Sequence, residues 1–415
     1  MAQLIAFPTP PRAAVAASRG RLWQIDALRG LMLVLMTLTH VPTRFSSPAG
    51  QPFGYVSAAE GFVLLSAFMA GWIYTMRHQK RGEPEMRSAF LKRVLKIYLS
   101  QAALLLFLFS AVAAIGLLSR QSAITDMVSF YLQHPVEAFV GSLLLVYNPP
   151  MLDILPMYIL FMLASSTVLI HGMRHGWTGM MTLSIALWLG AQVGLGSALY
   201  GAVVSVTGLA IPFTQTGAFE VLAWQLLWMI GLWMGSSYAS GTLRNRFPRY
   251  VVAAAVVIAA IGFVWRHAVG QAAFPQHPEL NVIFDKWQLA PLRLLDLFAL
   301  MVLAMHFEPW LTRHLPRFRP LEVLGAASMP VFCAHLVIAL LALAVLGPSN
   351  PERPLGLDVA LLVFGFAILY GVAMLSRRID RHAAQVRAAY EGARPARVNA
   401  DDQRSPLSRL RSPRR

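Results

Sequence analysis

Apolar positions in this chain do not alternate with polar ones; they gather in long runs, at about 25–41, 55–76, 94–118, 151–170, 177–197, 219–237, 250–265, 289–307, 322–346 and 355–375. Most approach the ~20 residues that a helix needs to cross a hydrocarbon core about 30 Å thick. The pattern predicts an all-α integral membrane protein of about ten transmembrane helices. A membrane domain over 25–375 is expected between a short N-terminal tail, 1–24, and a basic tail, 376–415. Between the third and fourth runs the pattern changes to two short amphipathic pieces, Ala123–Gln133 and Val136–Tyr147, broken at Pro135 and closed by Asn148-Pro149-Pro150. They are expected on the outer surface. From Ala383 the tail is rich in Arg, Ser and Pro with few aromatics and is expected to be disordered. No repeat of fixed period is visible.

Composition narrows the class further. Of the 415 residues, 57% are hydrophobic and 13% charged, against about 25% charged in soluble chains, which argues against a purely soluble enzyme. The net charge of +16 raises the question of nucleic acid, and the placement of the cations answers it. With the N-terminus inside, 27 of the 35 Lys and Arg fall in inner segments and 5 in outer ones. This skew predicts both termini in the cytoplasm and pairs the basic loops with an anionic inner leaflet, with no nucleic acid needed. A cleaved signal peptide at the first run is the weaker reading, because that run carries Arg29 and His40. A single cysteine, Cys333, allows no intrachain disulfide.

Ionisable residues inside spans are costly unless paired or turned toward the bundle interior, so each is a functional candidate. Arg29 and His40 lie eleven residues apart on the first span, and eleven steps of about 100° return to one face roughly 16 Å farther along. Taken alone, Arg29 could equally pair with Asp26 while His40 ends the helix. Depth bookkeeping adds Glu60, Asp153, Arg293 with Asp296, and His335 to an outer layer, and sets Arg29, Lys92, Arg93 and Lys96 in a basic layer at the inner face. For Arg293 and Asp296 an i, i+3 ion pair that orders the bundle is as good a reading as catalysis. For His335, a core histidine bonded to a backbone carbonyl competes with a ligand or base. No metal-ligating spacing, Walker lysine or Gly-x-Gly-x-x-Gly turn occurs, and Ser66 lies in no nucleophile elbow. A histidine general base with a carboxylate partner fits better, with His40 as base and Glu60 or Asp153 as partner.

Several segments carry a resemblance. Asp26-Ala27-Leu28-Arg29-Gly30 followed by His40 resembles the Arg-to-His signature of the acyltransferase-3 group of membrane acyltransferases. Phe62–Phe68, with Ala67 where a Gly is usual, Arg93–Tyr98, and Leu324–His335 resemble that group's second-helix, third-helix and late-helix motifs. Glu60 and Leu152–Tyr158 are most similar to the OpgC family, which adds succinyl groups to osmoregulated periplasmic glucans; the stretch 171–290 contributes little beyond hydropathy. The resemblance implies an inner-membrane, multi-pass O-acyltransferase that uses cytoplasmic acyl-CoA, with succinyl-CoA the expected donor, and holds no tightly bound cofactor. Its acceptor would be a periplasmic glucan. Arg29, Lys92, Arg93 and Lys96 would hold the CoA phosphates and His40 would deprotonate the glucan hydroxyl. Arg293 would steady an oxyanion or a succinyl carboxylate, and Ser66 or His335 could carry an acyl group. The alternatives are a secondary transporter for a glucan or organic anion, or an acetyltransferase acting on another surface polysaccharide.

Overall fold

The computed structural model describes residues 22–243 and 246–392, and among them the chain is helical with no strand. In order the helices are α1 (Trp23–His40), α2 (Ala58–Arg81) and α3 (Glu83–Phe107), the last carried on through a π-helical turn, Leu108–Val112, to Leu118. Three short pieces follow: α4 (Ser122–Met127), α5 (Ser129–Gln133) and α6 (Pro135–Leu143). Then come α7 (Ile154–His175), α8 (Thr178–Gln192), α9 (Leu195–Thr207), α10 (Val221–Ala239), α11 (Arg249–Val269), α12 (Pro291–His314), α13 (Arg319–Ala326), α14 (Ser328–Leu346) and α15 (Leu355–Gly392). Two compact units divide the chain, 1–373 and 374–415, and the described part of the second is the last stretch of α15.

Every predicted span finds a helix, but length and apolarity alone qualify seven helical stretches as membrane spans, or eight if one bent pair is a single span. These apolar helices mark a membrane protein. Helices α1 and α10 fall outside the seven. Asp26, Arg29 and His40 dilute α1, and tryptophans, serines and Gln225 dilute α10, whose Trp224 and Leu227 are fully buried. A helix sheathed by other helices has little lipid-facing surface to keep apolar.

The structure corrects three sequence readings. The run 177–197 is not one straight helix: α8 and α9 meet at a bend of 82°, where Gly194 takes a left-handed φ of +82° that a residue with a side chain resists. The run 322–346 is broken at Ala327 into α13 and α14, because Pro330 cannot donate to the carbonyl four residues back and its ring crowds that turn. The tail is helical as far as Gly392 rather than disordered from Ala383; Ala and Arg in this stretch are strong helix formers. Residues 393–415 and the expected N-terminal tail up to residue 21 lie outside the described residues. The amphipathic pieces of 119–150 are present, with a further break at Val128, and Ile124, Val128 and Ala138 are fully buried.

Small residues let backbones touch where the packing is closest. A Cβ on Gly235 of α10 would stand 2.0 Å from the Phe68 carbonyl oxygen, and one on Gly71 of α2 would stand 2.3 Å from that of Leu232. Ala67 replaces the glycine expected in the second-helix motif, and its Cβ faces Gly231 across the seam. The missing Cβ is thus on the partner helix. Helices α1 and α13 meet in the same way, at Gly30 against Leu321 and Gly325 against Asp26. Gly235→Ala should cost about 3 kcal/mol, the upper end of overpacking penalties. Gly371→Ala, with nothing within 4 Å of the new Cβ, is the control. Thermal unfolding in detergent should separate the two; equal midpoints would show that the seam yields.

Candidate active site

Helix α1 ends where it does because Pro42 follows Val41, whose extended backbone (ψ 125°) is what a following proline favours. His40 is therefore the last helical residue, half-buried at the end of the stripe Arg29, Leu33, Met36, Thr37 that faces the bundle. Its Nδ1 lies 3.1 Å from Nε2 of His335, with the two rings nearly parallel at 16°. His335 is fully buried in α14, with Phe332 edge-on at 4.8 Å and Phe62 stacked beyond it. Farther back, the Arg29 guanidinium donates to the Ser328 hydroxyl at the start of α14. These two contacts, eleven residues apart on α1 and seven apart on α14, require the helices to run parallel, with the length of the Arg29 side chain making up the difference in rise.

The carboxylates expected beside His40 are used elsewhere. Glu60, fully buried, takes the Arg293 Nε–H on one oxygen and the backbone N–H of Ser57 (3.1 Å) and the Ser57 hydroxyl on the other. Its role is to close the first turn of α2 and hold Arg293. Arg293 accordingly does not pair with Asp296, which accepts from the Tyr55 N–H at 2.8 Å and so fastens the loop before α2. Asp153 accepts from the Ala218 N–H at 2.9 Å, while Asn148 bonds the carbonyl of Thr216 at 2.6 Å. Together they fix the loop 215–220 against the turn before α7. The next residue, Phe219, lies under the ammonium of Lys286, which also stands 4.6 Å from the Trp287 ring centre. The bond between the Glu220 N–H and the Trp287 carbonyl, 3.0 Å, joins the two loops. Loss of hydration lowers Lys286 below the usual lysine value, opposed by Glu60 and Asp153 and reinforced by Arg293. Lys286 escaped the sequence reading, which counted it as one of five outer cations; its neighbour Trp287 was the available signal.

The sequence profile of the OpgC protein family matches residues 21–381. The chain belongs to the OpgC family. No curated protein and no solved structure matches it. Membership makes the chain a transferase of acyltransferase type acting on glucan.

In this OpgC family member the inner cations are less gathered than their depth suggested. Arg29 is buried on Ser328, Arg93 is half-buried, and Lys92 and Lys96 are exposed on α3. Arg93 and Lys96 are within electrostatic reach of Cys333. Arg29, Arg93 and Lys96 therefore address the first half of α14, below His335. Ser66 is buried, and its hydroxyl bonds neither histidine among the described residues. A cavity of about 700 Å³ runs between α1, α2, α10 and α12, lined by Ile25, Met32, Leu64, Met234 and Met301 and reaching Ser57 at one end. It follows the neighbouring face of α1; neither Arg29 nor His40 lines it.

Proposed function

We propose that this protein is an inner-membrane O-acyltransferase that moves a succinyl group from cytoplasmic succinyl-CoA to a hydroxyl of a periplasmic glucan, using about ten transmembrane helices with both termini inside. The paired imidazoles of His40 and His335 carry this reading. When His40 Nδ1–H donates to His335 Nε2, His40 Nε2 is left as an unprotonated base, and His335 bears its own proton on Nδ1. Partly accessible His40 then takes the proton of the glucan hydroxyl as it attacks the thioester carbonyl. The C–O bond forms, the C–S bond breaks, and the proton leaves on the CoA thiol. His335 orients the ring and shares the charge of the imidazolium. It is the positioning partner that the carboxylates were expected to be.

Arg29, Arg93 and Lys96, with Lys92 at the exposed edge, supply cations for the CoA phosphates at the cytoplasmic side. The skew of Lys and Arg toward inner segments supports that orientation. Glucans from a deletion strain should lack the succinyl substituent by mass spectrometry and regain it on complementation. An unchanged spectrum, with uptake of glucan or organic anion by proteoliposomes lacking any acyl donor, would replace the transferase with a transporter.

A further inference from the structure

Two cations at the outer end of the site have donors that the protein leaves unused. Arg293 is 1% exposed in its side chain. Its Nε is held by Glu60 and its Nη1 reaches the Phe284 carbonyl at 3.5 Å, but its Nη2 has no hydrogen-bond partner. Lys286, two residues after Phe284, forms no ion pair or hydrogen bond among the described residues and rests on two aromatic rings. Cation–π contact offsets only part of the hydration that a half-buried ammonium loses. Neighbouring acids do not fill the gap: Glu60 is engaged by Arg293 and Ser57, and Asp153 by Ala218. The electrostatic coupling of Lys286 to His40, Glu60, Asp153 and Arg293 places its ammonium among the groups of the site.

Resting on the acyltransferase reading, we propose that Lys286 is a specificity-determining residue whose ammonium, with the free Nη2–H of Arg293, binds the distal carboxylate of a dicarboxylic acyl group. A carboxylate there would accept charge-assisted bonds from both cations at once. A neutral acyl group of the same length would leave both unsatisfied, and a site with an unpaired buried donor such as Arg293 Nη2–H rejects such an analogue.

The test uses the full chain in detergent and two acyl-CoA probes of four carbons, succinyl-CoA and butyryl-CoA, with affinities read by calorimetry. Wild type should bind succinyl-CoA about ten- to a hundredfold more tightly. Lys286→Met should remove most of that preference by weakening succinyl-CoA alone, and Lys286→Arg should keep it. Equal weakening of both probes by Lys286→Met, or no change in either, would overturn the proposal. Wild type binding both probes equally sinks this inference and spares the acyltransferase reading; wild type binding neither sinks both. The pH profile adds an independent readout. The ammonium is present below its lowered pKa and lost above it, so the succinyl preference should be lost as pH rises, before the ordinary lysine value of about 10.4. Groups facing Lys286 are His40, Glu60, Asp153 and Arg293; Lys286→Arg should move the alkaline limb upward, and an unmoved limb would assign it to another group.

Discussion

His40→Ala is expected to lower acyl transfer by about 10³-fold or more while leaving the helices and the unfolding midpoint close to wild type. General-base catalysis by a positioned side chain is worth roughly 10²–10⁴-fold, and His40 is the member of the pair that a substrate can touch. His335 acts through it: fully buried, its Nε2 at 3.1 Å fixes which nitrogen of His40 is free. His335→Ala should therefore cost less, on the order of 10²-fold, because a residual fraction of His40 rings still presents the right tautomer. The two losses should not add. Once His40 is absent its orienting partner has nothing to orient, so the double variant should match His40→Ala alone. The measurement is succinyl transfer from succinyl-CoA to glucan by protein reconstituted in liposomes. A His40→Ala rate within tenfold of wild type would take this histidine out of the chemistry, and additive losses would give His335 a role of its own.

What the sequence showed and what it hid follow from the range of the forces involved. Apolar runs report burial, a local property, so each of the ten runs is helical, two of them as broken pairs, and the two candidate histidines lie on helices that meet. Helix breaks also had local causes, Gly194 and Pro330, yet they were overridden by the continuity of the apolar runs around them. Pairing is not local. Glu60 and Arg293 are 233 residues apart, and nothing in hydropathy says that Glu60 should meet this cation rather than His40. The same holds for Asp358, which binds Arg44 on its backbone and side chain (3.1 and 3.3 Å) and Arg353 at 3.4 Å. Those two arginines were counted as outer-loop charges, yet with Asp358 they fasten the end of α1 to the start of α15. Position along the chain leaves open which ionisable groups touch, and Lys286 comes near Glu60, Asp153 and Arg293 only through the fold that sets it over Phe219.

Removing Glu60 should have the largest effect on stability. Its carboxylate is the ion partner of an arginine that is 1% exposed, and a buried pair that loses one member leaves an uncompensated charge at a cost of about 3–5 kcal/mol. Glu60→Ala also removes the acceptor for Ser57 at the start of α2, which adds about 1 kcal/mol. Glu60→Gln keeps an acceptor for Ser57 and loses the charge, so it should fall between wild type and Glu60→Ala. The decisive variant is Glu60→Ala combined with Arg293→Met. Replacing both partners with apolar groups removes the orphaned cation, and the double variant should recover most of the lost stability while remaining inactive. Thermal or denaturant unfolding in detergent gives the first quantity and succinyl transfer the second. If Glu60→Ala unfolds like wild type and is merely slow, the carboxylate belongs to the chemistry after all, and its grip on Arg293 in this structure is incidental.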